Sequence, residues 1–171
     1  MAERQERTAA DAMMTRIGQA VMLHRGGDRE EARSRFLELW AEIGENGDPL
    51  HRCTLAHYMA DTQDDPFDEL AWDLRALAAA AELTDDRAAE HHRSPAVRAF
   101  YPSLHLNLAA DYAKLGRAED AHGHLRLARG AVHTLADDDY GNGVREAIGR
   151  LERTLAEEGP GGERLGPPRR P

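Results

Sequence analysis

Cys53, His57 and Asp61 follow one another at intervals of four residues, so on a helix they stack along one face. A thiolate, an imidazole and a carboxylate are each competent metal ligands, and a cysteine beside a histidine is the raw material of an activated nucleophile. A structural zinc site takes four ligands, however, and no second cluster has matching spacing. The other eight histidines, at 24, 51, 91, 92, 105, 122, 124 and 133, are dispersed. A thiol and an imidazole one turn apart bring no oxyanion hole with them. The chain also holds no GxSxG, P-loop, HExxH or dinucleotide fingerprint. Asp64-Asp65 and Asp137-Asp138-Asp139 precede helical patterns, where capping accounts for them. The residues therefore point to a non-enzyme with no catalytic group, no cofactor and no assigned metal. Cys53 packs and His57 caps a polar groove, while metal binding by the trio stays open.

Such residues need elements to position them, and the composition says which. The chain has 171 residues and a net charge of −9, enough for one domain with a core of its own. Valine and isoleucine occur only as Ile17, Val21, Ile43, Val97, Val132, Val144 and Ile148. Strands favour β-branched side chains, so a large sheet is excluded; Ala, Leu, Arg and Glu dominate, and all are helix formers. The acidic balance argues against a nucleic-acid surface. Cys53 is the single cysteine, which rules out an internal disulfide. The polar stretch Met1 to Asp11 is no signal peptide, and no apolar run reaches the ~18 residues of a membrane span. The expected location is the cytoplasm. Lys114 is the only lysine; an arginine-, alanine- and glycine-rich chain of this kind suits a GC-rich, actinobacterial-like bacterial genome.

Helical periodicity and turn residues divide the chain. A first helix is predicted over Thr8 to Leu23, with Met13, Ile17, Ala20, Val21 and His24 on one face and Gly26-Gly27 as its stop. Asp28 caps a second, carrying Ala32, Phe36, Leu39, Trp40 and Ile43. Asp48-Pro49 and Asp65-Pro66 start the third and fourth. The fourth presents Phe67, Leu70, Leu74, Leu77 and Ala78 as its apolar positions. Thr84 to Arg93 reads as a short exposed helix or connector. Ser94-Pro95 opens the next helix, in which Pro102 is a further first-turn proline or a kink, and Gly116 ends it. Ala118 to Leu135 follows, then a last helix near Gly143 to Glu158 with Val144, Ile148, Leu151 and Leu155 in one stripe. Residues 159–171 read GPGGERLGPPRRP and are expected to be disordered.

One pattern occurs twice. Ala20, Leu23, Gly27, Ala32, Phe36 and Leu39 are separated by 3, 4, 5, 4 and 3 residues. Ala109, Tyr112, Gly116, Ala121, Leu125 and Ala128 repeat those steps. Small residues let two antiparallel helices approach, glycine turns the chain, and bulky residues fill the groove. One such hairpin cannot bury its whole apolar face, so hairpins stack.

The pattern resembles the tetratricopeptide repeat, whose unit is about 34 residues. The resemblance runs from about Thr8 to Leu135, with a middle unit marked by Leu55, Ala56 and Met59. Arg16 and His105 stand where the family has an aromatic residue, the closing proline is missing, and 19 extra residues separate the second unit from the third. The implied fold is all-α: a stack of three irregular hairpins over 8–158, ended by a capping helix, with the tail 159–171 outside it.

The resemblance also implies a concave face built by the first helix of each hairpin. In this chain that face includes Met14, Ile17, Val21, His24 and Arg25, then Cys53, Thr54, His57, Ala60 and Asp61, then Asn107 and Lys114. The partner-binding set is Met14, Val21, His24, Arg25, His57, Asp61, Asn107 and Lys114. Such a groove takes a peptide or helix, so the expected function is a non-catalytic protein–protein interaction module, an adaptor or regulatory subunit. The alternative is a small-molecule or peptide sensor using the same groove. The tail is net +2, so 1–158 carry −11, and a neutral or basic protein segment is expected rather than nucleic acid or membrane. Self-association through the Phe36–Trp40 helix or the last helix, giving a homodimer, is a further expectation.

Overall fold

The computed structural model describes residues 1–86 and 95–159, with side chains outside 84–86 and 95–99. Among these residues the chain is all-helical, with seven α-helices and no strand. They are α1 (Ala2–Arg25), α2 (Arg29–Ile43), α3 (Pro49–Ala60), α4 (Pro66–Asp86), α5 (Pro95–Lys114), α6 (Ala118–Gly130) and α7 (Asp139–Glu158). None of the described helices is long and apolar enough to cross a membrane. The connector expected at Thr84 to Arg93 falls largely outside the described residues, and the tail beyond Gly159 wholly so.

The chain divides into two compact units, Met1–Phe100 and Tyr101–Pro171. In the first, α1 and α2 form a hairpin around Ile17, Ala20, Val21, Ala32, Phe36 and Leu39, and Leu55 and Met59 of α3 complete the cluster. Burying a side chain the size of Phe36 contributes on the order of 1.5–3 kcal/mol. The helix starts follow their caps. The Asp28 carboxylate accepts from the Glu31 N–H, Asp48 from the Leu50 N–H, and Asp65 from the Phe67 and Asp68 N–H groups. α3 packs against α1, α2 and α4. Trp40 and Trp72 join α2 to α4 edge to face, with centroids 5.0 Å apart.

In the second unit α6 packs on α7, whose Val144, Ile148 and Leu155 are buried. Arg129 grips Glu152 with two parallel hydrogen bonds, of 2.9 and 2.5 Å.

Four expectations change. α1 begins at Ala2, because the residues before Thr8 are themselves helix formers with no breaker among them. The helix expected to run to Leu135 stops at Gly130, and Val132–Thr134 tighten into a 3₁₀ turn. The last helix starts at Asp139, where the Asp138 carboxylate accepts from the Gly141 N–H. On α4, Phe67 and Leu74 are exposed, because Leu70, Ala76, Ala79, Ala80 and Leu83 supply the covered face. Pro102 lies inside α5 and is fully buried.

Candidate functional site

The duplicated sequence pattern folds into a duplicated turn. At the end of α1 the Gly27 N–H donates to His24 O and the Asp28 N–H to Leu23 O, both at 3.0 Å. At the end of α5 the Gly116 N–H donates to Ala113 O at 3.1 Å and the Arg117 N–H to Tyr112 O at 2.9 Å. This is the Schellman arrangement, closed by a left-handed glycine: φ is 95° at Gly27 and 73° at Gly116. The next residues match too, with φ and ψ of −91° and 70° at Asp28 and −94° and 72° at Arg117. Small, bulky and glycine positions that agree in sequence thus build the same backbone.

In the first unit the candidate residues lie along α1 and α3, which are in contact. Val21 is buried; Met14, His24 and His57 are half-buried; Arg25 and Asp61 are exposed. Of the neighbouring positions implied to face the groove, Ile17, Cys53, Thr54 and Ala60 are buried. The surface that remains is formed by the C-terminal ends of the two helices. The α3 end is held by the turn that follows it. Thr62 O accepts from Arg29 Nε at 3.2 Å and Arg33 Nε at 3.0 Å. Asp64 pairs with the same two arginines at 2.6 and 3.3 Å, and they hold its carboxyl below the usual carboxylate range.

His57 lies over a buried carboxylate: its Nδ1 is 4.0 Å from Oδ1 of Asp73, which is 1% exposed. The rings of Tyr58 and Phe100 stand 5.2 and 6.3 Å away. Burial lowers the His57 pKa, and Asp61 works against that shift. His24 Nδ1 is buried with no hydrogen-bond partner among the described residues. The Cys53 thiol is pushed up to about 12 by burial, so it is neither a thiolate nucleophile nor a ready ligand. Among the described residues no three His, Cys, Asp or Glu side chains converge as a metal site would require.

In the second unit Asn107 is half-buried and Lys114 exposed, both on α5. The same hairpin holds an unforeseen constellation. His105 Nδ1 and His124 Nδ1 are 3.1 Å apart, while their ring centres are 5.4 Å apart at 23°. The nitrogens are much closer than the ring centres, so the rings meet edge to edge, Nδ1 to Nδ1. Tyr101 flanks His105, Tyr112 flanks His124, and the Arg117 guanidinium covers Tyr112 at 5.0 Å. Burial lowers the pKa of both histidines; the His124 charge deepens the shift at His105, and Asp120 offsets it at His124.

Two signals could have found these groups. Asp73 falls three residues after Leu70 and three before Ala76, within the covered stripe of α4. His105 stands at the position of the duplicated pattern where the sequence resemblance implies an aromatic residue.

Comparison with family models, with curated proteins and with solved structures gives no match.

Proposed function

We propose that this chain is a non-catalytic protein–protein interaction module, a cytoplasmic adaptor or regulatory subunit made of tetratricopeptide-like hairpins. Its occupant is a neutral or basic peptide or helix. The observation that carries this reading is the pair of Schellman turns at Gly27 and Gly116, alike in hydrogen bonds and torsions. Helix pairs repeated with one turn geometry stack through shared apolar faces and leave helix faces over for partners. The packing of α3 on both helices of the first hairpin suits such a stack.

Chemistry at the candidate positions fits a binding surface better than an active site. Arg25 and Asp61 offer opposite charges at the exposed ends of α1 and α3, able to bond backbone amides or side chains of a guest. The cysteine that a hydrolase or redox reading would need is buried and protonated. The net charge of −9 favours a basic or neutral segment.

The test is capture. Tagged chain is used as bait in lysate of its native cells, and bound proteins are identified by mass spectrometry. Arg25→Glu combined with Lys114→Glu is expected to reduce capture of the specific partner at least tenfold with helical circular dichroism unchanged. The surface control Glu158→Gln is expected to retain it. Undiminished capture by the double variant rejects the reading.

A further inference from the structure

Helix α4 carries a second apolar face that the fold does not use. Phe67, Ala71, Leu74 and Ala78 follow at steps of 4, 3 and 4 and so line one side of the helix. Phe67 is 68% and Leu74 41% exposed; Ala78 is exposed and Ala71 half-buried. A lone exposed apolar side chain is ordinary. A seam at the 3–4 spacing of paired helices, beside the covered side that holds Leu70, Ala76, Ala80 and Leu83, has the form of a helix-pairing surface.

We propose that this face joins two copies of the chain as a homodimer, α4 against α4, antiparallel. The pattern is self-complementary about a two-fold axis placed midway between Ala71 and Leu74. That axis sets Phe67 opposite Ala78 of the second copy, and Ala71 opposite its Leu74. Each bulky side chain then meets an alanine, as close approach of two helices requires. The same axis brings Asp68 within a turn of Arg75 of the second copy, twice by symmetry. Among the described residues neither side chain forms an ion pair within its own chain; the Arg75 guanidinium rests on the Trp72 ring at 4.4 Å. A foreign helix would not require this internal symmetry of size and charge.

The self-association expected earlier used the Phe36–Trp40 helix or the last helix, and the α4 seam is a different surface from both. Phe36 is fully buried and Trp40 packs on Trp72, so that face is already used. Four apolar residues per copy make a small interface of the weak, transient kind, so association is concentration-dependent. The seam shares no residue with the partner-binding set of α1, α3 and α5, and its test is independent of that proposal.

Light scattering on the untagged full chain over a concentration series reads the outcome. The mass is expected to rise from 19.0 kDa towards twice that value. Leu74→Glu and Asp68→Arg are each expected to weaken association at least tenfold while helical circular dichroism is kept. Asp68→Arg combined with Arg75→Asp is expected to restore it. A single-chain mass throughout the series overturns the proposal. So does a dimer indifferent to Leu74→Glu, or a charge swap that restores nothing.

Discussion

Cys53 and His57 show how burial decides chemistry that spacing only allows. One turn apart on α3, they have the types a nucleophile or metal site wants. The fold buries the thiol and raises its pKa to about 12, which removes the thiolate. Native protein is therefore expected to resist an aromatic disulfide reagent, with Cys53 reacting only after denaturant is added; prompt labelling of the native chain would contradict its burial. The histidines carry a pH prediction. His57, His105 and His124 all titrate in the fold below their ordinary 6.5, burial being the first cause. Below about pH 6.5 the unfolded chain binds protons that the fold refuses, so stability is complete above that range and falls on acidification. Denaturant unfolding from about pH 7.5 to 5.5 should show the fall, and His57→Gln should flatten it. Stability rising towards acid would show the sign to be wrong. Sequence order marks the positions of Asp73 and His105 but not their pairing, because each owes its state to a residue on another helix.

Single turns and caps matter at the level of elements. Gly27 and Gly116 hold a left-handed torsion that a Cβ opposes, so Gly27→Ala or Gly116→Ala should each cost about 1 kcal/mol in chemical denaturation. Gly18 is the opposite case. It lies inside α1 with open space where a Cβ would go, and Gly18→Ala should stabilise by roughly 0.5–1 kcal/mol. Equal effects at Gly27 and Gly18 would show the turn geometry to be misassigned. The starts of α2, α3 and α4 were legible because Asp28, Asp48-Pro49 and Asp65-Pro66 act through local hydrogen bonds and a fixed proline torsion. Ends without such punctuation were not: α1 extends back to Ala2, and α6 stops at Gly130. On α4, periodicity identified apolar positions on two adjacent faces but could not say which the rest of the chain would cover. The fold covers the Leu70 and Ala76 side and leaves Phe67 and Leu74 to solvent.

For the whole molecule, low valine and isoleucine content and abundant alanine agree with helices that approach closely; α3 packs on α4, and Ala56, Ala60, Ala76 and Ala80 of these helices are buried. The duplicated turn at Gly27 and Gly116 supports the repeat proposed above. In the first unit the C-terminal ends of α1 and α3 carry His24, Arg25, His57 and Asp61, on a chain whose charge of −9 disfavours acidic guests. The candidate site was legible as positions and not as a surface: the polar ends are accessible, whereas Ile17, Cys53, Thr54 and Ala60 are sealed by packing that no single helix reveals. Hydrogen exchange of the full chain, with and without the captured partner, tests the interaction reading most directly. Slowed exchange at the C-terminal ends of α1 and α3, around His24–Arg25 and His57–Asp61, is the predicted result; unchanged exchange at both ends with the partner bound would contradict it.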